Sequence, residues 1–178
     1  MPPLSRLGIQ IEEIISTLNT VGARFALIGG LALASHKVVR ATQDVDLLTD
    51  VETATEIDQE MTRLGYRCLH RSSEVANYLR GDERVDSLFA SRPIARGLLA
   101  SAVERATSFG SLRVISAEGM IAFKLQGLVN NPRRTQDLED IKALMRANRN
   151  ALNLTEVREY FQLFDREPLL DDLLNETK

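Results

Sequence analysis

Apolar positions along the chain switch between helical and strand spacing, and the switches mark out the elements. Residues 8 to 21 carry Ile11, Ile14, Ile15, Leu18 and Val21 on one helical face. Gly22 stands where that helix should stop. Arg24-Phe25-Ala26-Leu27-Ile28 is a short apolar run ending at Gly29-Gly30, the pattern of a buried strand. Residues 31 to 37 read as a short helix and 45 to 48 as a second strand. Thr53 followed by Glu56 is a capping-box pattern that starts a helix running to about Leu64, where Gly65 ends it. Residues 66 to 69, 75 to 80 and 84 to 89 read as three strands, with Gly81-Asp82 as the turn between the last two.

Beyond Pro93 the pattern predicts a helix over 94–104 and one more strand over 112–115. Ser116 caps a helix over 117–129, which Asn130-Asn131-Pro132 breaks. Thr135 caps 136–147, Asn153 with Glu156 caps 154–164, and Pro168 opens a polar tail. The fold class expected is α+β, a mixed sheet with helices packed against it. A sheet-bearing core should span 1–115, and a helical region packed on it 116–178. No linker is long enough to demand two independent domains.

Composition narrows the class. Of 178 residues, 44% are apolar and 26% charged, which suits a soluble globular chain. No window approaches the ~18 apolar residues of a membrane span. The N-terminus has no basic stretch leading into an apolar run, so no signal peptide is expected. A single cysteine, Cys68, excludes an internal disulfide and suits a reducing cytoplasm. The net charge of −3 means that any nucleic-acid contact must use a local patch. His36 and His70 are expected at the surface, and Cys68 as a small buried apolar side chain.

One stretch departs from ordinary packing. IGGLALASHKVVRATQDVDLLTD, residues 28 to 50, places Asp44 and Asp46 around Val45 inside an apolar strand. On a strand, positions i and i+2 share a face, so the two carboxylates project together. Two close like charges repel, and a divalent cation with oxygen ligands removes the conflict. Gly29-Gly30 ends one strand and opens a helix, where backbone can approach a phosphate closely. A third acid, Asp86, interrupts the run Arg84-Val85-Asp86-Ser87-Leu88-Phe89. If that strand lies beside 45–48, Asp86 faces the same site, and three carboxylates can hold two metals. One metal would activate an attacking hydroxyl and the other would hold a triphosphate. Asp86 would help to take the proton.

Gly29-Gly30, thirteen residues, Asp44-Val45-Asp46 and a later strand-borne Asp86 together resemble the signature of the DNA polymerase β-like nucleotidyltransferase superfamily. The text Arg40 to Leu48 resembles its small abortive-infection-type toxin members, and the resemblance extends to Lys124-Leu125-Gln126 and to 133–141. The second glycine position is often serine in this superfamily, and here it is Gly30. The resemblance implies Mg²⁺ or Mn²⁺ and a nucleoside triphosphate, ATP among the candidates. Asp44, Asp46 and Asp86 would be catalytic and metal-binding residues. Gly29, Gly30, Arg40, Lys124 and Asp137 would bind the nucleotide, with Lys124 as a point charge on the triphosphate.

The function expected is transfer of NMP from an NTP to a hydroxyl acceptor. A tRNA end, a protein side chain and a small molecule such as an aminoglycoside all suit the superfamily. A toxin role with an antitoxin partner suits a small stand-alone member. The alternative is an inactive nucleotide-binding or protein-interaction module of the same fold.

Overall fold

The computed structural model describes residues 5–177. They divide into two compact units. One runs to Ala32 and resumes over Ala41–Ile115; the other takes Leu33–Arg40 and the chain from Ser116 onward.

The first unit holds a seven-stranded mixed sheet. Its strands are β1 (Phe25–Ile28), β2 (Val45–Thr49), β3 (Arg67–Arg71), β4 (Val75–Arg80), β5 (Glu83–Phe89), β6 (Val103–Thr107) and β7 (Gly110–Val114). They lie in the order β3-β4-β5-β2-β1-β7-β6. β2 runs parallel to β5 and β1 parallel to β7, while the remaining neighbours are antiparallel. Helices α1 (Arg6–Thr20), α3 (Ala54–Arg63) and α4 (Pro93–Ala100) belong to this unit, and α2 (Gly29–Ser35) begins in it. The α+β class expected from the pattern is the one observed.

The two faces of the central strands differ. Val45, Leu47 and Thr49 on β2 stand beside Val85, Ser87 and Phe89 on β5, and all six are buried. Tyr78 continues this face on β4, and its hydroxyl donates to Asp58 on α3, so α3 covers it. Ser87 stands where an apolar residue is usual. It is 1% exposed, and its hydroxyl is 3.1 Å from that of the fully buried Thr49. Each polar group thus satisfies the other across the strand pair. The opposite face carries Asp46 and Asp86.

Asp50 closes the far end of β2. Its carboxylate accepts from the Arg24 N–H at 2.7 Å, from the Thr53 N–H at 3.1 Å and from the Thr53 hydroxyl. Thr53 therefore starts α3 without a side-chain cap of its own, and the first turn is tied down by Asp50 instead.

The second unit is helical, with α5 (Ala117–Asn130), α6 (Thr135–Ala147), α7 (Leu154–Leu163) and α8 (Glu167–Glu176). Ser116 and Asn153 cap α5 and α7 through side-chain bonds of 3.1 and 3.2 Å. Ile121, Leu125, Ile141, Leu144, Val157, Phe161, Leu170 and Leu173 form the core, none more than 1% exposed.

Several expectations are corrected. The helix expected over 94–104 ends at Ala100, and 103–107 form β6. That strand is a charged, largely exposed edge without an apolar alternation to betray it. The expected polar tail after Pro168 is α8: proline suits the first helical turn, and Leu170 and Leu173 share its buried face. Thr135 opens α6 rather than capping it. Cys68 is exposed on the edge strand β3, and His36 is buried while His70 is exposed. No helix among the described residues is long and apolar enough to cross a membrane.

Candidate active site

The register of β2 on β5 decides where the acids go. Asp46 pairs with Asp86 across the parallel strands, so both carboxylates leave the same face about 4.8 Å apart along the sheet. Ile28 on β1 and Asn77 on β4 complete that row. The Asn77 amide donates to Asp86 Oδ1 at 2.7 Å. It fixes one carboxylate oxygen and leaves Oδ2 for another partner. No lysine or arginine among the described residues forms an ion pair with Asp86. Asp44 sits two residues before Asp46, just outside β2, and is exposed.

The two glycines make room for side chains from the next strand and its approach. Gly29 has φ +66, a conformation that L side chains rarely adopt. A Cβ on it would fall 2.0 Å from Asp46 Oδ2 and 2.7 Å from Asp46 Cγ. The Asp46 carboxylate therefore lies directly over the Gly29 backbone. A Cβ on Gly30 would fall 2.7 Å from Thr42 Cβ and 3.0 Å from Thr42 Oγ1. Gly30 is glycine because Thr42 fills the space a side chain would need.

The other predicted residues gather in the second unit as a buried ionic network. Asp137 and Asp140 are each 3% exposed. Lys124 Nζ lies 3.0 Å from Asp137 Oδ1 and 2.8 Å from Asp140 Oδ2. Arg40 Nη1 is 2.7 Å from Asp140 Oδ2, and the Gln136 amide donates to Asp140 Oδ1 at 2.9 Å. Arg134 Nε is 2.7 Å from Asp137 Oδ2, close enough to pair but not aligned as a hydrogen bond. A Cβ on Gly127 would fall 2.8 Å from that same Oδ2. The α5 backbone is thus cut away for Asp137, as α2 is for Asp46.

The structure therefore brings the predicted residues together in two groups. Gly29, Gly30, Asp46 and Asp86 meet in the first unit, with Asp44 beside them in sequence. Arg40, Lys124 and Asp137 meet in the second, joined by Asp140. Asn77 and Thr42 escaped the sequence reading. Asn77 had a signal: a two-residue turn at Gly81-Asp82 pairs Arg80 with Glu83, and counting back sets Asn77 opposite Asp86. Thr42 had none, because its contact depends on how the loop folds back. Among the described residues, no group of three or more His, Cys, Asp or Glu side chains is placed to enclose a metal ion. A cavity of about 360 Å³ lined by Ile15, Arg24, Phe25, Leu112 and Arg113 includes none of these residues.

The sequence matches no protein-family profile and no curated protein. Solved structures do match. The chain is similar to ANT(2")-Ia in complex with adenylyl-2"-tobramycin, with TM-score 0.72 and 19% identity over 90% of this chain and 98% of that one. It is similar to an antigenic nucleotidyltransferase-like protein from Paracoccidioides brasiliensis, with TM-score 0.59 and 16% identity over 97% and 94%. It is also similar to the lincosamide antibiotic adenylyltransferase LnuA, lincomycin-bound, with TM-score 0.57 and 14% identity over 79% and 96%. The chain has the fold of these neighbours, among them a nucleotidyltransferase-like protein and an adenylyltransferase.

Proposed function

We propose that this protein is a metal-dependent nucleotidyltransferase that moves NMP from a nucleoside triphosphate to a hydroxyl of a small molecule. The observation that carries the reading is the row Asp46–Asp86, two carboxylates in register on one sheet face, with a neutral amide as the partner of Asp86. The fold, shared with nucleotidyltransferases, supports it.

The donor set suits Mg²⁺ or Mn²⁺. It is all oxygen, and Mg²⁺ keeps several waters and binds through one or two carboxylates plus substrate phosphates rather than in an all-protein cage. That is compatible with the lack of a preformed three-residue cluster among the described residues. Asp46 and Asp86 would hold the ion, and exposed Asp44 would join from the start of β2. When bound, the ion supplies charge neutralisation at the phosphates and activation of the hydroxyl. The acceptor oxygen forms a bond to the α-phosphorus as the α–β bridge breaks and pyrophosphate leaves. Asp86, held at Oδ1 by Asn77, takes the hydroxyl proton through its other oxygen.

A small acceptor is favoured for two reasons. Neighbours matched over nearly their whole length hold adenylyl-2"-tobramycin and lincomycin. Cations that could meet RNA are also engaged within the chain, since Arg134 pairs with Asp137 and Lys124 with two aspartates. Arg40, Lys124 and Asp137, expected to bind the nucleotide, belong to one ionic network through Asp140.

The test supplies each α-labelled NTP with Mg²⁺ and, in parallel, hydroxylated small molecules including aminoglycosides and lincosamides, total RNA, or no added acceptor. Label should move to a small molecule and vanish with Asp46→Asn. Label on RNA, or on protein as for a toxin acting on protein targets, would replace the acceptor class. Mg²⁺-NTP binding without transfer would make the chain a nucleotide-binding module.

A further inference from the structure

Position 30 and position 42 share one space. Residue 30 opens α2, and Thr42 lies in the loop entering β2, twelve residues on. A Cβ built on Gly30 would meet Thr42 Cβ at 2.7 Å, and both Thr42 Oγ1 and Cγ2 at 3.0 Å. Real Cβ atoms do not approach that closely, so the chain can carry a side chain at one of the two positions, not both. One residue earlier, the same backbone carries the Asp46 carboxylate over Gly29. Consecutive Cα atoms are about 3.8 Å apart. The residues that Asp46 and Thr42 crowd, Gly29 and Gly30, are thus consecutive in the chain.

That hydroxyl is half-buried and weakly engaged. It reaches the Asp44 carbonyl at 3.4 Å, the long end of the hydrogen-bond range. A hydroxyl proton so loosely held can turn to a better acceptor. The anionic oxygens of a metal-bound triphosphate are the strongest acceptors that would come to this place.

We propose that Thr42 supplies the side-chain hydroxyl that binds a phosphate oxygen of the nucleoside triphosphate, standing in for the side chain that Gly30 lacks. The inference rests on the nucleotidyltransferase reading and adds a ligand to it from a different part of the chain. The superfamily often has serine at position 30. Here position 30 is glycine, and the neighbouring hydroxyl belongs to Thr42. Thr42 would also couple nucleotide binding to the order of the loop that carries Asp44.

The experiment measures Mg²⁺-ATP and Mg²⁺-GTP affinity by calorimetry on the full chain, with thermal unfolding of the nucleotide-free protein beside it. Thr42→Val keeps the shape and removes the hydroxyl. Its affinity should fall on the order of tenfold, as for loss of one hydrogen bond to a charged group, with unfolding unchanged. Thr42→Ser should recover most of the affinity. Gly30→Ser should lower the unfolding temperature by itself, and Gly30→Ser with Thr42→Gly should restore it and return a hydroxyl to the site. Wild-type binding with an unaffected Thr42→Val overturns the inference. So does equal loss of affinity in Thr42→Val and Thr42→Ser, which would mark a packing role. An unchanged unfolding temperature for Gly30→Ser would overturn the shared-space argument without any nucleotide. Failure of the wild type to bind either nucleotide would instead remove the function reading beneath it.

Discussion

Two aspartates in this molecule lie over a glycine backbone, and they differ in what surrounds the charge. Asp46 covers Gly29 in the sheet-bearing unit, and Asp137 covers Gly127 in the helical unit. Asp137 belongs to a network in which Lys124, Arg40 and Arg134 face two buried carboxylates. Asp46 instead has another aspartate, Asp86, as its register partner, and Asp86 is bonded to the neutral amide of Asn77. Buried charge is costly unless paired. The helical unit meets that cost with its own cations. In the sheet-bearing unit two carboxylates stand in register on neighbouring strands, and the bond to Asp86 comes from a neutral amide. Close backbone approach is thus common to both, while Asp137 lies among cations and Asp46 in register with a second carboxylate.

The comparison breaks first at its cations. Lys124→Met would leave Asp137 and Asp140 buried with fewer partners, and should destabilise the metal-free protein by about 3–5 kcal/mol. Asp86→Asn removes one of two adjacent like charges, and should leave metal-free stability unchanged or raise it by up to about 1 kcal/mol. Urea unfolding of both variants with chelator present checks the pair. If Asp86→Asn is the more damaging change, the sheet carboxylates are structural and the reading of the site fails.

The glycines sharpen the same contrast at a smaller scale. Gly29→Ala combines a strained positive φ with a Cβ 2.0 Å from Asp46 Oδ2, and should cost about 2–4 kcal/mol. Gly127→Ala has no positive φ and gains helix propensity, against a contact of 2.8 Å to Asp137 Oδ2. A net loss of about 1 kcal/mol is expected, again by urea unfolding. Equal losses would mean that Asp46 gives way as easily as Asp137.

How much of this was legible without coordinates follows the range of the interactions. Alternation within one strand could pair Asp44 with Asp46, whereas Asp86 joined only on the condition that its strand lie beside 45–48, which β5 meets. A short turn made the position of Asn77 countable. Arg40 and Asp140, a hundred positions apart, carry no local trace of their pairing. Arg40 was expected at the nucleotide, and its guanidinium pairs with Asp140. Asp50, just past β2, accepts from the N–H groups of Arg24 before β1 and Thr53 before α3, and the first of these contacts spans 26 positions. β6 was hidden because an exposed edge strand has no reason to alternate.

The next test targets the neutral donor that distinguishes Asp86. Asn77→Ala removes the bond to Oδ1 and lets the carboxylate swing, while adding no charge. Loss of one hydrogen bond to a charged group corresponds to roughly tenfold. If Asn77 orients Asp86 for proton uptake, kcat should fall by about that factor with the KM for the nucleotide little changed. A change confined to KM would place Asn77 in nucleotide binding instead.

The smallest expected effect concerns carboxylates that share a proton donor with a buried phenol. Tyr78 donates to Asp58 in the sheet-bearing unit, and Tyr160 donates to Glu156 at 2.8 Å in the helical one. Burial first, then the carboxylate acceptor, raises both phenols above their ordinary value of 10.0. Tyr66 is raised as well, mainly by burial. The sign follows from linkage. The folded state keeps these protons when the unfolded chain begins to lose them near pH 10. The stability they contribute is complete below that pH and falls as pH rises past it. Tyr78→Phe and Tyr160→Phe should each cost about 1 kcal/mol at neutral pH, a cost that shrinks above pH 10. In the wild type, phenolate absorbance should appear together with unfolding rather than before it. Phenolate in the native protein at its ordinary pH would mean that these hydroxyls are not held by Asp58 and Glu156.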